Sequence, residues 1–351
     1  MFQDFSGQTA NDAWRAIAKV LRGDSAVRSS HAAAQPSRAG HTRELLHATI
    51  SIANPRQRWV TAREPVMNPA FAIAEVLWIL GGRNDSRFPT YFNRQLPRFA
   101  GDGGTFHGAY GLRLRRHLGF DQLERAYLAL QANPDSRQIV LQIWDSIIDF
   151  PGRDGSAVAS DIPCNVISMV KVRNGALEWA QILRSNDVFR GLPYNIVQFT
   201  SLQEVLAGWL GLRVGSYNQL SDSLHVYEEC LPQLVATPER TEVINGDDLR
   251  LPWAESKRVL AELAAGAERV VDDNVTGAAL MSMAIRSNLP TAYRNMLLVL
   301  IAEGLRRRRQ PALAAEAMKG CDNPVFQELV KRWTTRWGEV REGGHTPPAV
   351  D

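Results

Sequence analysis

Cys164 stands between Pro163 and Asn165, where an irregular stretch gives way to a strand pattern. A thiol at a strand edge has two readings. One is a buried small hydrophobe; the other is a thiolate nucleophile that forms a covalent intermediate. Further on, Arg184-Ser185-Asn186-Asp187 runs into Gly191-Leu192-Pro193-Tyr194-Asn195. A guanidinium, a hydroxyl and a nearby helix start make a seat for a phosphate. The plainer alternative is that Arg184 and Asp187 pair with each other on the surface. Asn195, near that helix start, can offer an amide to a base edge. In Ser223-Leu224-His225-Val226-Tyr227, His225 and Tyr227 are two apart and share one face of a strand. Such a pair serves either a ligand or the packing.

The elements that must hold these groups are legible from periodicity. Trp14, Ile17, Val20 and Leu21 recur at helical spacing and Gly23 stops that helix. Ser25 to Gly40 reads as a mobile loop, and Thr49 to Ile52 as a strand. Pro69 to Leu80 is an apolar helix ended by Gly81 and Gly82. Asp85 to Gly108 has no clean period and reads as a long functional loop. A helix over Asp121 to Leu130 breaks at Asn133-Pro134, and Ile139 to Ile143 reads as a buried strand. Asp145 to Asp161 is a second loop. Ile167 to Val172 and Ala176 to Leu183 form a hairpin across Asn174-Gly175, a strong turn signal. Tyr194 to Leu210 reads as a long amphipathic helix, and Arg213 to Leu220 as a strand.

Beyond Leu251 the chain turns helical: Ala261 to Val271, Gly277 to Ile285, Ala292 to Arg309 and Phe326 to Trp337. Trp333 and Trp337 are placed to anchor the last of these to a core. The arginines Arg306 to Arg309 read as a solvated helix end that complements the dipole. Gly343 to Asp351 is expected to be disordered. Strands interleaved with helices, then a helical tail, indicate an α/β (α+β) body with an added helical part.

Composition sets the outer limits. The chain has 351 residues, 45% hydrophobic and 22% charged, which excludes a disordered or disulfide-dense protein. With 40 basic and 37 acidic residues the net charge is +3, no basis for a nucleic-acid binder. No apolar run approaches the ~20 residues of a membrane span. The N-terminus has no secretory pattern. The three cysteines, Cys164, Cys230 and Cys321, match no zinc spacing, so no metal is expected. An odd, sparse set indicates free thiols in a reducing, cytoplasmic setting.

Taken together the motifs resemble thymidylate synthase and its relatives, the pyrimidine nucleotide hydroxymethylases. The resemblance runs from about Thr49 to Tyr227. It is carried by Glu75 in Glu-Val-Leu-Trp-Ile-Leu-Gly-Gly, Tyr110 in Gly-Ala-Tyr-Gly, Asn133-Pro134-Asp135-Ser136-Arg137, Pro163-Cys164, Arg184 to Asp187, Gly191 to Ile196 and His225-Val226-Tyr227, in that order. It implies a mixed β-sheet flanked by helices, with residues 1–250 as the catalytic domain and 251–351 as a helical extension. It also implies roles. Cys164 is similar to the nucleophile that adds to C6 of a pyrimidine nucleoside monophosphate. Glu75 resembles the carboxylate that organises proton transfer, with Tyr110 beside it, and Asn195 the reader of the base edge. Arg184, Ser185 and Arg43 resemble phosphate ligands, and Arg137 one supplied by the partner of a homodimer. His225 and Tyr227 resemble sugar contacts, and Asp187 and Gly191 contacts to 5,10-methylenetetrahydrofolate, the one-carbon donor.

The chemistry accounts for these types. Thiolate addition at C6 makes C5 nucleophilic and divides one hard step into easier ones. Nearby arginines favour the thiolate. Once the one-carbon unit is on C5, hydride yields a methyl group and water a hydroxymethyl group, according to whether water is excluded. The sequence departs from the synthase pattern in Asn165 after the nucleophile, where a His is usual, and in Leu183, where a Gln is usual. Leu96 and Phe99 replace a Trp pair, and Gln138 replaces a second Arg. Arg184-Ser185-Asn186-Asp187 and Ser223 to Tyr227 look more like phage dCMP hydroxymethylase, and the usual synthase C-terminus is not recognisable. These departures favour hydroxymethylation over methylation by a thymidylate synthase proper. The amide of Asn195 suits uracil, with CMP or dCMP left open. The competing class is a non-catalytic regulator that binds nucleotide or RNA on the same fold.

Overall fold

The computed structural model describes residues 2–23, 33–37, 40–234 and 243–342. Strand β1 (Gln3–Gly7) leads into helix α1 (Ala10–Arg22). A capping box starts α1: the Thr9 hydroxyl accepts from Asp12 N and the Asp12 carboxylate accepts from Thr9 N. Gly23, at φ 83°, ends it as expected. Ala33–Ser37, inside the stretch expected to be a loop, forms β2, and β3 (Gly40–Ile52) follows. The rest of that stretch lies outside the described residues.

Next come α2 (Pro69–Leu80), α3 (Arg87–Phe92), α4 (Leu96–Ala100), α5 (Tyr110–Arg115) and α6 (Gln122–Ala132). The segment without a clean period therefore holds two short helices, too brief to show one, pinned by a bridge between Asp85 and Thr105. Strand β4 (Val140–Gln142) and a single helical turn, α7 (Ser146–Asp149), lead to β5 (Asn165–Arg173) and β6 (Ala176–Asp187). Their connection has positive φ at Asn174 (50°) and Gly175 (71°), the tight hairpin turn the Asn-Gly pair predicts. α8 (Leu192–Trp209) crosses over to β7 (Arg213–Tyr227), which lies parallel to β6.

The sheet runs β1-β3-β7-β6-β5-β4, with β2 on the edge of β3 shared with β1. Two expectations are corrected here. β4 is an edge strand, not a buried one: it pairs only with β5, and Val140 is 50% exposed. α8 is buried along its whole length rather than amphipathic. The sheet covers one side of it, and α1, α2 and α6 pack elsewhere around it. Its polar residues face fixed protein partners instead of water: Gln203 donates to the carbonyls of Leu177 and Ser216, and Glu204 pairs with Arg56 and Arg58.

The tail contains α9 (Trp253–Val271), α10 (Gly277–Arg286), α11 (Thr291–Arg307), α12 (Pro311–Met318) and α13 (Pro324–Glu342). Its core is continuous with that of the body. Trp253 stacks on Tyr127 at 4.7 Å and meets Trp209 edge-on at 4.5 Å. Trp333 donates to the buried Glu303, which anchors α13 as expected; the side chain of Trp337 lies outside the described residues. The cluster Arg306 to Arg308 is not a solvated end. Arg306 and Arg307 bond Glu303, and Arg308 bonds the carbonyls of Val270 and Val275 and the hydroxyl of Tyr91. The C-terminal segment expected to be disordered is outside the described residues. Among the described residues no helix is long and apolar enough to cross a membrane.

Candidate active site

A cavity of about 810 Å³ opens between the carboxyl ends of β6 and β7, the start of α8, and the segment from α2 to α5. This is the size of a small-molecule site. Every residue singled out in the sequence lines it except Arg43 and Arg137. Arg43 lies between Thr42 and Glu44, which do line it, so the period of two along β3 sends its side chain to the other face. There it donates to the Leu21 carbonyl at 2.7 Å, at the end of α1, and the expected phosphate contact is not made. Arg137 is exposed in the turn before β4 and does not line the cavity of its own chain.

Cys164 is half-buried on the cavity wall, and none of the three cysteines is in a disulfide. Arg184 holds the segment that presents it. The Arg184 guanidinium donates to the carbonyls of Pro163 (2.9 Å) and Ile162 (3.0 Å), and its backbone N–H to that of Cys164 (2.9 Å). Arg184 is thus bonded to this loop and not to Asp187. The Asp187 carboxylate instead takes the N–H groups of Phe189 and Arg190 through Oδ1 (2.7 and 2.8 Å). Its Oδ2 is buried and has no partner among the described residues, on a side chain that lines the cavity. A Cβ on Gly191 would lie 3.1 Å from Asn186 Oδ1 and 3.2 Å from the Asp187 carbonyl, so glycine keeps this corner open. Burial pushes the Cys230 and Cys321 thiols up to about 11, inert at neutral pH.

Burial acts strongly on two ionisable groups of the cavity, Glu75 and Tyr110. Burial raises the Glu75 carboxyl to about 8, with a bond from Gln198 opposing the shift, so the group keeps its proton at pH 7. Its Oε2 has no partner among the described residues. Burial holds the Tyr110 hydroxyl above its ordinary range, with a bond from Asn165 opposing this. Tyr110 is therefore a neutral donor or acceptor. At the other end of the cavity the rings of His225 and Tyr227 meet edge-on at 5.7 Å. Ser223, His225 and Tyr227 alternate along β7 onto the cavity face, as the pattern predicts.

Among the lining residues that sequence reasoning missed are Trp144, Asp149 and Arg190. Trp144, just past β4, lies 5.6 Å beneath the Arg184 guanidinium. Asp149 pins that loop: it accepts from Arg113 at 2.9 Å and from Asp145 N at 2.8 Å, and meets His107 at 2.7 Å. Burial opposes its ionisation, but these bonds outweigh it and hold the carboxyl below its usual range. Arg190 stacks over Tyr227 at 5.0 Å and Phe99 at 5.5 Å and pairs with Glu229. Its place between Asp187 and Gly191 was the available signal.

The sequence was compared with protein families and curated proteins. The thymidylate synthase family model matches residues 32–282. The chain belongs to the thymidylate synthase family. Two similar proteins are named deoxyuridylate hydroxymethyltransferase. The one from Bacillus phage SP01 is 37% identical over 201 residues, 54% of this chain and 51% of that protein. The one from Pseudomonas phage M6 is 40% identical over 185 residues, 52% of this chain and 51% of that protein. A putative thymidylate synthase from Methanothermobacter marburgensis is 28% identical over 195 residues, 54% of this chain and 80% of that protein. The chain spans about half the length of the phage proteins it matches. The family match runs past residue 250 into α9 and α10.

Within this thymidylate synthase fold two of the departures noted in the sequence lie on the cavity wall. Leu96 and Phe99, in place of the tryptophan pair, line the apolar side of the cavity. Asn165, in place of histidine, is fully buried between Gln181 and Asn195. Among the described residues no three His, Cys, Asp or Glu side chains cluster as a metal site would require.

Proposed function

We propose that the chain transfers a one-carbon unit from methylenetetrahydrofolate to C5 of a uracil nucleotide, deoxyuridylate first, and completes it with water to a hydroxymethyl group. The observation that carries this reading is the convergence of Cys164, Glu75, Tyr110, Arg184 and Asn195 on one cavity. The names of the phage relatives favour the hydroxymethyl product and the uracil base.

Arg184 and Ser185 bind the phosphate, and His225 and Tyr227 the sugar. Asn195 meets the base edge, giving an N–H to O4 and accepting from N3–H. Bound this way, the ring places C6 against the Cys164 sulfur. The thiolate adds there, the electron pair moves onto C5 and O4, and C5 becomes the nucleophile. Glu75 supplies and recovers protons at the base through the cavity water. The C5 proton leaves as the bond from the transferred carbon to its carrier nitrogen breaks, and Cys164 is expelled as water adds to that exocyclic carbon, which restores the ring. The folate fits the remaining volume: the apolar wall of Trp78, Leu96 and Phe99 suits its rings, and Asp187 Oδ2 accepts from a ring N–H. When bound it supplies one carbon at the oxidation level of formaldehyde, so nucleotide, donor and water give hydroxymethyl nucleotide and tetrahydrofolate in balance.

The same reading makes the enzyme a cytoplasmic homodimer in which Arg137 of one copy reaches the phosphate of the other. Residues 251–351 act as a helical extension that buttresses α2 and α8. The test is product mass from purified protein with methylenetetrahydrofolate and dUMP, UMP, dCMP or CMP. A hydroxymethylated uracil nucleotide with tetrahydrofolate formed is expected. A methylated product with dihydrofolate would instead make this a thymidylate synthase. No product from any of the four would return weight to the binding-protein reading.

A further inference from the structure

Five buried amide and indole side chains form one hydrogen-bonded line from the interior of the sheet to the cavity. The Trp179 indole N–H donates to Gln181 Oε1 at 3.0 Å, and the Ser168 hydroxyl donates to the same oxygen at 2.6 Å. Gln181 Nε2 donates to Asn165 Oδ1 at 2.9 Å. Asn165 Nδ2 donates in turn to Asn195 Oδ1 at 3.4 Å, the longest link, and Asn195 Nδ2 to Asn186 Oδ1 at 3.2 Å. All of these side chains are buried: Trp179 is 1% exposed, Gln181 1%, Asn165 0%, Asn186 3% and Asn195 7%. The line ends on Asn186 Nδ2, a buried donor that has no partner among the described residues and belongs to a side chain lining the cavity.

A line of primary amides has no intrinsic direction. Turning every amide over exchanges oxygen for nitrogen at each link and leaves every bond made. One end of this line removes that freedom. An indole N–H can only donate, so Gln181 must turn its oxygen to Trp179 and its nitrogen to Asn165. Asn165 must then accept from Gln181 and donate toward Asn195. Asn195 must accept on the Asn165 side and donate on the Asn186 side. Once those outer positions are used, one N–H and one oxygen lone pair remain on the Asn195 amide for a ligand, in a fixed order. Ser168 cannot set this sense, because a hydroxyl both donates and accepts.

We propose that the Trp179 indole, acting through Gln181 and Asn165, fixes which way round Asn195 presents its amide, and so makes the site select a uracil over a cytosine. An amide free to turn over reads both bases, because O4 with N3–H and the cytosine amino group with N3 are mirror demands on it. An amide held in one sense reads one of them, and the other base leaves buried donors facing donors. Trp179, Gln181 and Asn165 are positioning residues: they act through Asn195 and do not touch the base. This inference rests on the reading that the ligand is a pyrimidine nucleotide.

The test is calorimetric titration of dUMP and dCMP into the wild-type protein, Trp179→Phe and Gln181→Met. The wild type is expected to bind dUMP more tightly than dCMP. In Trp179→Phe only the two-way hydroxyl of Ser168 remains at that end, and in Gln181→Met the line is cut. Both variants are expected to narrow the ratio of the two dissociation constants by about 5- to 10-fold, the worth of one net hydrogen bond. Gln181→Met keeps the side-chain volume, so it stands in if Trp179→Phe fails to fold. If both affinities weaken together at an unchanged ratio, the two residues only pack and the inference is overturned. A wild type that binds the two nucleotides equally also overturns it. A wild type that binds neither overturns the pyrimidine reading itself, and is told apart by the absence of any titration signal before a variant is made.

Discussion

Replacing Glu75 by glutamine tests the electrostatics of the site without any substrate. The folded protein holds the Glu75 proton up to about pH 8, whereas an unfolded chain releases it near 4.5. Between these values unfolding releases a proton, so this group makes the folded state less stable as pH rises, at about 1.4 kcal/mol per pH unit. Below 4.5 both states are protonated, and above 8 both are ionised, so the effect is confined to that window. Across the whole window the shift amounts to about 5 kcal/mol, a ceiling because Glu75 keeps some surface on the cavity, where water tempers the desolvation. From pH 6 to pH 8 the expected change is about 2 kcal/mol, a few degrees in Tm for a chain of this size. Glutamine keeps the volume and the bond to Gln198 and has nothing to titrate. The assay is a thermal melt of both proteins at half-unit steps from pH 5 to 9. Glu75→Gln is expected to melt progressively higher than the wild type as pH rises to 8, with a constant gap beyond. Parallel curves, or a gap that widens toward acid, would show that Glu75 is ionised at neutral pH and is no proton donor.

Other perturbations address the chemistry. Cys164→Ser is expected to lose at least about 10³-fold in turnover while it still binds nucleotide by calorimetry, since only the covalent step is removed. Asn195→Asp offers acceptors alone toward the base; in product-mass assays it is expected to lose dUMP turnover and move preference toward dCMP. If the dimer shares Arg137, then Arg137→Ala and Cys164→Ser, each inactive alone, will regain up to about a quarter of wild-type activity after mixing and subunit exchange, because half the dimers carry one intact site. Failure to regain activity with exchange shown by mass spectrometry would place Arg137 outside the site.

How far the sequence carries depends on whether a signal is local. The Asn174-Gly175 turn, the Gly23 stop of α1 and the strand face shared by His225 and Tyr227 are set by neighbours one to four residues away, and the structure holds them as read. α8 misleads because its polar positions look like a solvent face, yet each is bonded within the protein, a pairing that only the tertiary arrangement supplies. Arg307 and Arg308 mislead for the same reason, since their partners on α3 and α9 are distant in sequence. Arg43 fails by parity: one step along a strand exchanges cavity for exterior, and motif order cannot fix a register to one residue.

The departures from the family pattern show the reverse. Read singly, Asn165 and Leu183 look like losses, a missing histidine and a missing glutamine at a catalytic wall. In the structure Leu183 fills a buried position, while Asn165 receives a bond from Gln181, two residues back along β6. Gln181 and Leu183 project to the same face of β6, and Gln181 is the amide on that face that reaches the residue beside Cys164. That residue must now accept and donate in one plane, which an asparagine amide does in a fixed order. Asn165 in turn donates to Asn195, the residue proposed to read the base.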